Sequence, residues 1–197
     1  MRDLRPRWAF EEVGQPYEVI LIADAKCAAH RGFQPFGQVP TYRDEEVSIF
    51  ESGSIALRIA ERAGQLIPAD PAARTRAIQW LVAALSSVEP FVMAVAVNDI
   101  FEADRDWSKA RRAKIVEDLH VRLHDLEVAL GDEEWIDGDA FTIGDLMLIS
   151  VLGGLRGSAQ LDRFPKLAAY VKRGEARPAH RKAMADQLAL YADPVPA

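Results

Sequence analysis

The sequence predicts an α+β protein in two parts, a small mixed α/β domain over residues 1–64 followed by an all-helical bundle over residues 71–197. Three observations carry this. Up to about residue 65 the apolar runs are short and of mixed period; beyond it they are long and repeat at helical spacing. Between the two, Gly64 to Asp70 reads as a linker in which Pro68 and Pro71 limit helix continuation. With 49% hydrophobic and 27% charged residues over 197 positions, the chain has ordinary globular composition and can bury a core without staples.

Each element has its own signal. Leu4, Trp8 and Val13 can share one face of a helix from Leu4 to Val13. Pro6 falls in its first turn, where a missing N–H costs nothing, and Gly14 stops it. Tyr17 to Ile22 is an apolar, β-rich run and reads as a strand, while Ala23 to Gly32 fits neither period. Val39 to Tyr42 and Val47 to Phe50 read as short strands around a turn at Arg43-Asp44-Glu45-Glu46. Ser52 is expected to cap a helix reaching Ala63, with Ile55 and Ile59 inward. Asp70 caps and Pro71 opens a long helix to about Glu102, bent near Pro90. Further helices are expected at Ser108 to Leu130, from Thr142, near Phe164 and near Arg177. Phe141 to Leu146 fits a helix start in which Thr142 caps, Asp145 reaches back and Phe141 packs on Leu146. That role is structural, and Asp145 receives no catalytic one.

Charge and composition exclude several classes. A net charge of −6 leaves no basic excess for nucleic acid. The run Lys109, Arg111, Arg112, Lys114 is balanced by Asp104, Asp106, Glu117 and Asp118 and reads as a solvated helix face. The single cysteine, Cys27, forms no internal disulfide and reads as a bystander thiol. No apolar run follows the basic N-terminus, and Leu81 to Val97 is broken by Ser86, Ser87, Glu89 and Pro90. A cytoplasmic protein without a membrane span is expected. His120 and His124 share a helix face without a third ligand, so no metal is expected. His30 reads as a loop residue and His180 as a surface one. Trp80, Phe91, Met93 and Phe101 read as a core stripe.

Arg5 to Val19 (RPRWAFEEVGQPYEV), Gln34 to Pro40 (QPFGQVP) and Phe50 to Ile55 (FESGSI), taken in order, resemble the N-terminal domain of the glutathione S-transferase family. Phe141 to Asp145 (FTIGD) resembles the capping motif of that family's helical C-terminal domain. The resemblance implies a thioredoxin-like domain followed by a helical one, glutathione as co-substrate and no metal. It also implies an apolar electrophile as second substrate and a homodimer. Under it the Val39-Pro40 bond is cis, although X-Pro bonds at large are cis in only about 5–6% of cases. The N–H and C=O of Val39 then pair with the cysteinyl backbone of glutathione, with Gln38 alongside. Ser52 holds the γ-glutamyl carboxylate and Glu51 the ammonium, although by itself Ser52 reads as an ordinary cap. The helix of Trp80 to Phe101 would border the second-substrate pocket.

The implied activity is conjugation of the glutathione thiolate to an apolar electrophile; the alternative is a non-catalytic glutathione-fold protein that binds a ligand or another protein. In the family a first strand leads to a turn with an activating Ser, Tyr or Cys. Here no Ser, Thr, Cys or Tyr precedes Tyr17. That strand is therefore expected to be lacking from the chain as written, and the activating residue to fall at or upstream of Met1 to Asp3. Without that neighbour, Tyr17 to Ile22 is expected to be detached or irregular, and the chain to bind glutathione better than it activates it.

Overall fold

A computed structural model describes residues 2–192. In chain order the elements are α1 (Leu4–Val13), α2 (Ala28–Arg31), β1 (Thr41–Arg43), β2 (Ser48–Phe50), α3 (Ser52–Ala63), α4 (Pro71–Phe101), α5 (Ser108–Leu130), α6 (Ile143–Leu152), α7 (Pro165–Glu175) and α8 (Pro178–Ala192). They form two compact units. One is the chain up to Ile67 together with the chain from Ala176; the other is Pro68–Glu175. The last helix, which the sequence assigns to the helical domain, thus belongs to the first unit.

In the first unit α1 packs on α3 and α8. Trp8, Ala9, Ile55, Ala56, Ile59 and Ala60 are fully buried, because both helices carry their apolar residues at helical spacing. Gly14 ends α1 with φ 65°, a conformation a Cβ would strain. His180 is buried, not on the surface, with its ring edge-on to Trp8 at 4.7 Å. The basic neighbours that suggested exposure are partly used in ion pairs: Arg177 donates to both Glu12 oxygens at 2.6 and 2.8 Å, and Lys182 to Glu11 at 2.8 Å.

The sheet among the described residues is one antiparallel pair, with Thr41 opposite Phe50, Tyr42 opposite Ile49 and Arg43 opposite Ser48. Asp44 organises the turn. Its Oδ1 accepts the N–H groups of Glu46 and Val47, and its Oδ2 accepts from Arg62. Tyr17 to Ile22 is not a strand: it is irregular, and Ile20 is 69% exposed. Strand propensity alone does not suffice here, because none of the described strands lies alongside it to complete its hydrogen bonds.

The second unit is all helical. Asp70 caps α4 by accepting from Ala73 N at 2.8 Å, with Pro71 first in the helix. Just before Pro90, at Ala84–Val88, α4 widens into a π-type turn, and again at Val97–Phe101. The expected bend near Pro90 therefore takes the form of a local widening, which accommodates the missing N–H. By length and composition α4 could cross a membrane. In this fold its buried side, Ala77, Leu81, Ala84, Val88, Val92 and Val95, packs on α5 and α6. The stripe read as core is not: Trp80 and Phe91 are half-buried, Met93 and Phe101 exposed.

The Thr142–Asp145 cap at the start of α6 forms as its sequence predicts. Thr142 Oγ1 accepts from Gly144 N at 3.2 Å, and Asp145 Oδ2 accepts from Thr142 N at 2.8 Å. Asp145 Oδ1 also accepts from Ile136 N and from the Tyr170 hydroxyl, both at 2.8 Å. Burial pushes the Asp145 carboxyl up, opposed by the Ile136 and Thr142 N–H groups, and burial beside that carboxylate pushes the Tyr170 hydroxyl well up. Phe141 sets its ring edge-on to Trp135 at 4.8 Å.

Candidate binding site

The first unit contains a cleft lined by Arg2, Gln34, Gln38, Val39, Pro40, Glu51 and Ser52. All five binding residues expected from the sequence are on this lining. The five lie on two segments, the loop before β1 and the junction of β2 with α3, and Arg2, just ahead of α1, completes the lining.

The loop supplies backbone. The Val39-Pro40 bond is cis, as the resemblance implies. Among the described residues no hydrogen bond takes the Val39 N–H. The approach to this point is tied down. Gln34 is buried and its Oε1 accepts from Phe36 N at 2.6 Å, while Gly37 N donates to Gln34 O at 3.0 Å.

The junction supplies polar groups. Glu51 has φ 70° and ψ 115°, a region that disfavours a non-glycine residue. Such conformations cost about 1–3 kcal/mol and concentrate where ligands are held. Ser52 is not the cap the sequence suggests but the first residue of α3, and Glu51 occupies the cap position without a side-chain cap bond. The buried Ser52 hydroxyl instead accepts from Arg5 Nη1 at 3.0 Å. A hydroxyl that accepts still has its hydrogen to donate. At the helix start its own N–H has no intrahelical partner, and the helix dipole is positive there. The cleft thus carries a cation in Arg2, a carboxylate in Glu51, and donors in Ser52 and Val39. That set suits a zwitterionic peptide.

Sequence reasoning missed Arg2, Gln34 and the Arg5 contact. Arg5 opens the motif that carries the resemblance, but its reach to Ser52, 47 positions away, is long-range; Arg2 precedes that motif. The positions expected to hold an activating group divide. Arg2 lines the cleft, Asp3 Oδ2 accepts from Gln187 Nε2 at 2.6 Å, and Met1 lies outside the described residues. Ser52 is the one hydroxyl side chain on the lining among the described residues. His120 Nε2 meets Gln160 Oε1 at 2.7 Å, and no three potential metal ligands converge among the described residues. Cys27 is exposed.

Two family models match, the glutathione S-transferase N-terminal domain over residues 4–66 and the glutathione S-transferase C-terminal domain over residues 106–173. The chain belongs to the glutathione S-transferase family. A glutathione S-transferase of Zea mays is 26% identical over 185 residues, covering 88% of this chain and 83% of the relative. A solved glutathione transferase family member from Pseudomonas fluorescens, with two glutathione bound, has a TM-score of 0.86 at 25% identity. It covers 92% of this chain and 87% of its own. A second, from Burkholderia graminis, has two glutathione molecules bound per subunit, with a TM-score of 0.84 at 27% identity over 92% of this chain and 82% of that one. The chain therefore has the family's fold, a thioredoxin-like N-terminal domain with a small sheet and a helical C-terminal domain.

Proposed function

We propose that this protein binds glutathione in the cleft of its first unit and joins the thiolate to an apolar electrophile. The observation that carries the reading is the presence of Gln38, Val39, Pro40, Glu51 and Ser52 on one lining, with Arg2. In this reading the Val39 backbone pairs with the cysteinyl residue like an added strand. The Ser52 N–H and hydroxyl take the γ-glutamyl carboxylate at the positive end of α3. Glu51 takes the ammonium. The glutathione held by the Pseudomonas and Burkholderia proteins supports the same ligand here.

The thiol gives its proton to solvent and the thiolate forms a sulfur–carbon bond; with an aryl chloride the carbon–chlorine bond breaks and chloride leaves. The protein's work is then to hold the thiolate and place it against the electrophile. The Arg2 guanidinium on the lining favours the anion over the neutral thiol. Bound glutathione should accordingly titrate below the free thiol value of about 8.5. This replaces the expectation from the sequence that the chain binds glutathione better than it activates it, because Arg2 lies on the lining although no hydroxyl or thiol side chain precedes Tyr17. A homodimer belongs to the same reading, and light scattering should give twice the chain's 21.8 kDa.

The test is product formation from glutathione and an activated aryl chloride, followed by absorbance, with thiolate absorbance of the bound peptide read across pH. Glutathione-dependent product and a lowered thiol pKa that Arg2→Ala moves back are expected. A bound thiol that titrates like free glutathione, or no product above the uncatalysed rate, contradicts the proposal.

A further inference from the structure

His30 sits in the short helix α2 and is 3% exposed. Its Nε2 lies 2.6 Å from the Gln38 carbonyl oxygen. A carbonyl only accepts, so Nε2 carries the proton in this contact. The other ring nitrogen, Nδ1, is buried without a hydrogen-bond partner among the described residues. Burying an unpaired polar nitrogen is unfavourable, and a phenyl ring would fill similar space without that cost. The bond to Gln38 is what the imidazole provides and a phenyl would not.

That bond acts on a particular peptide unit. The Gln38 C=O and the Val39 N–H belong to one planar amide, which is trans, since the cis bond follows Val39. In a trans amide the C=O and N–H point in opposite directions. Holding the oxygen on the α2 side therefore fixes the direction of the Val39 N–H on the other side. A hydrogen bond to the oxygen also polarises the amide and strengthens its N–H as a donor. The rest of the loop has independent anchors. Arg31 Nη1 donates to Pro35 O and Arg31 Nε to Lys26 O, each at 3.1 Å, besides the Gln34 bonds already described. Loss of the imidazole would therefore free one peptide plane and leave the loop in place.

We infer that His30 is a positioning residue for glutathione: it fixes the Gln38–Val39 amide so that the Val39 N–H meets the peptide in the cleft. This rests on the glutathione reading above. The experiment compares the parent, His30→Phe and His30→Gln. Phe keeps ring volume and removes the donor; the Gln amide nitrogen can reach the same place and restores it. Glutathione affinity is measured by calorimetry, the thermal midpoint by circular dichroism, and order of the Val39 amide by nitrogen-15 relaxation without ligand. His30→Phe should bind about tenfold more weakly, the scale of one lost hydrogen bond. Its Val39 amide should become more mobile while Tyr42 and Ile49 in the sheet are unchanged, and His30→Gln should recover both readings.

Equal affinity in parent and His30→Phe would overturn the inference. So would equal losses in both variants with a lowered midpoint, the mark of a packing role. If the parent does not bind glutathione, the functional reading falls by itself. The ligand-free Val39 amide then decides the positioning claim, and an amide equally ordered in parent and Phe variant overturns it.

Discussion

Replacing Asp145 by alanine removes the acceptor that holds the start of α6. Four donated hydrogen bonds are lost, from Ile136 N, Thr142 N, Thr142 Oγ1 and the Tyr170 hydroxyl. The Thr142 hydroxyl can turn elsewhere, which leaves two backbone N–H groups and one buried phenol to lose their partner. Each unsatisfied buried group costs about 1–3 kcal/mol. With rotation of the phenol allowed for, the two N–H groups leave a loss of about 2–6 kcal/mol, against a typical domain stability of about 5–15 kcal/mol. For a chain of this size that is a fall in thermal midpoint on the order of 10 °C. Asp145→Asn keeps one oxygen but sets an NH2 against the Thr142 N–H or the Ile136 N–H, so its loss should be intermediate. The pH dependence has a definite sign. Burial raises the Asp145 carboxyl above 3.8, so its stabilisation is full below that value and declines as pH rises through the folded pKa. The alanine deficit should therefore be larger near pH 4 than at pH 7. Thermal and urea unfolding of the three proteins provide the assay. Midpoints within 2 °C of the parent for both variants would refute the reasoning, with about 2 °C corresponding to no more than about 1 kcal/mol.

Gly144→Ala should destabilise the helical unit by about 1–3 kcal/mol in urea titration, because its Cβ would lie 2.7 Å from Trp80 Cβ and 3.2 Å from the Ala77 carbonyl. Asp44→Asn should lower the thermal midpoint at neutral pH. The Val47 N–H above all, with the Glu46 N–H, Tyr42 and Arg62, holds the Asp44 carboxyl well below its ordinary 3.8. Its stabilisation is present above that value and lost as pH falls through the folded pKa, so parent and variant midpoints should converge below about pH 4. A gap that stays constant from pH 7 to pH 2 would contradict this.

Local signals were legible in the sequence, and long-range ones were not. Gly14, Asp70 with Pro71, and Thr142 with Asp145 mark helix ends through bonds made within a few residues, and each stands where the sequence predicts. The five residues carried by two short motifs lie on one lining. Tyr17 to Ile22 has strand propensity, yet it runs irregular, as expected where no neighbour lies alongside it among the described strands. What failed depends on distant partners. His180 looks exposed from its basic neighbours until Trp8 covers it. His30 looks like a loop residue because its partner is a backbone carbonyl, which no side-chain motif reveals. Ser52 has a cap's sequence but is drawn into another role by Arg5.

The most direct test of the account is calorimetric titration of the folded protein and of Ser52→Ala with glutathione. The parent should bind one glutathione per chain in the cleft. The variant, which loses a hydroxyl bonded to a charged carboxylate, should bind about tenfold or more weakly, matching about 1.5–3 kcal/mol. No heat of binding in the parent, or equal affinities in the two proteins, would contradict the claim that this cleft holds glutathione.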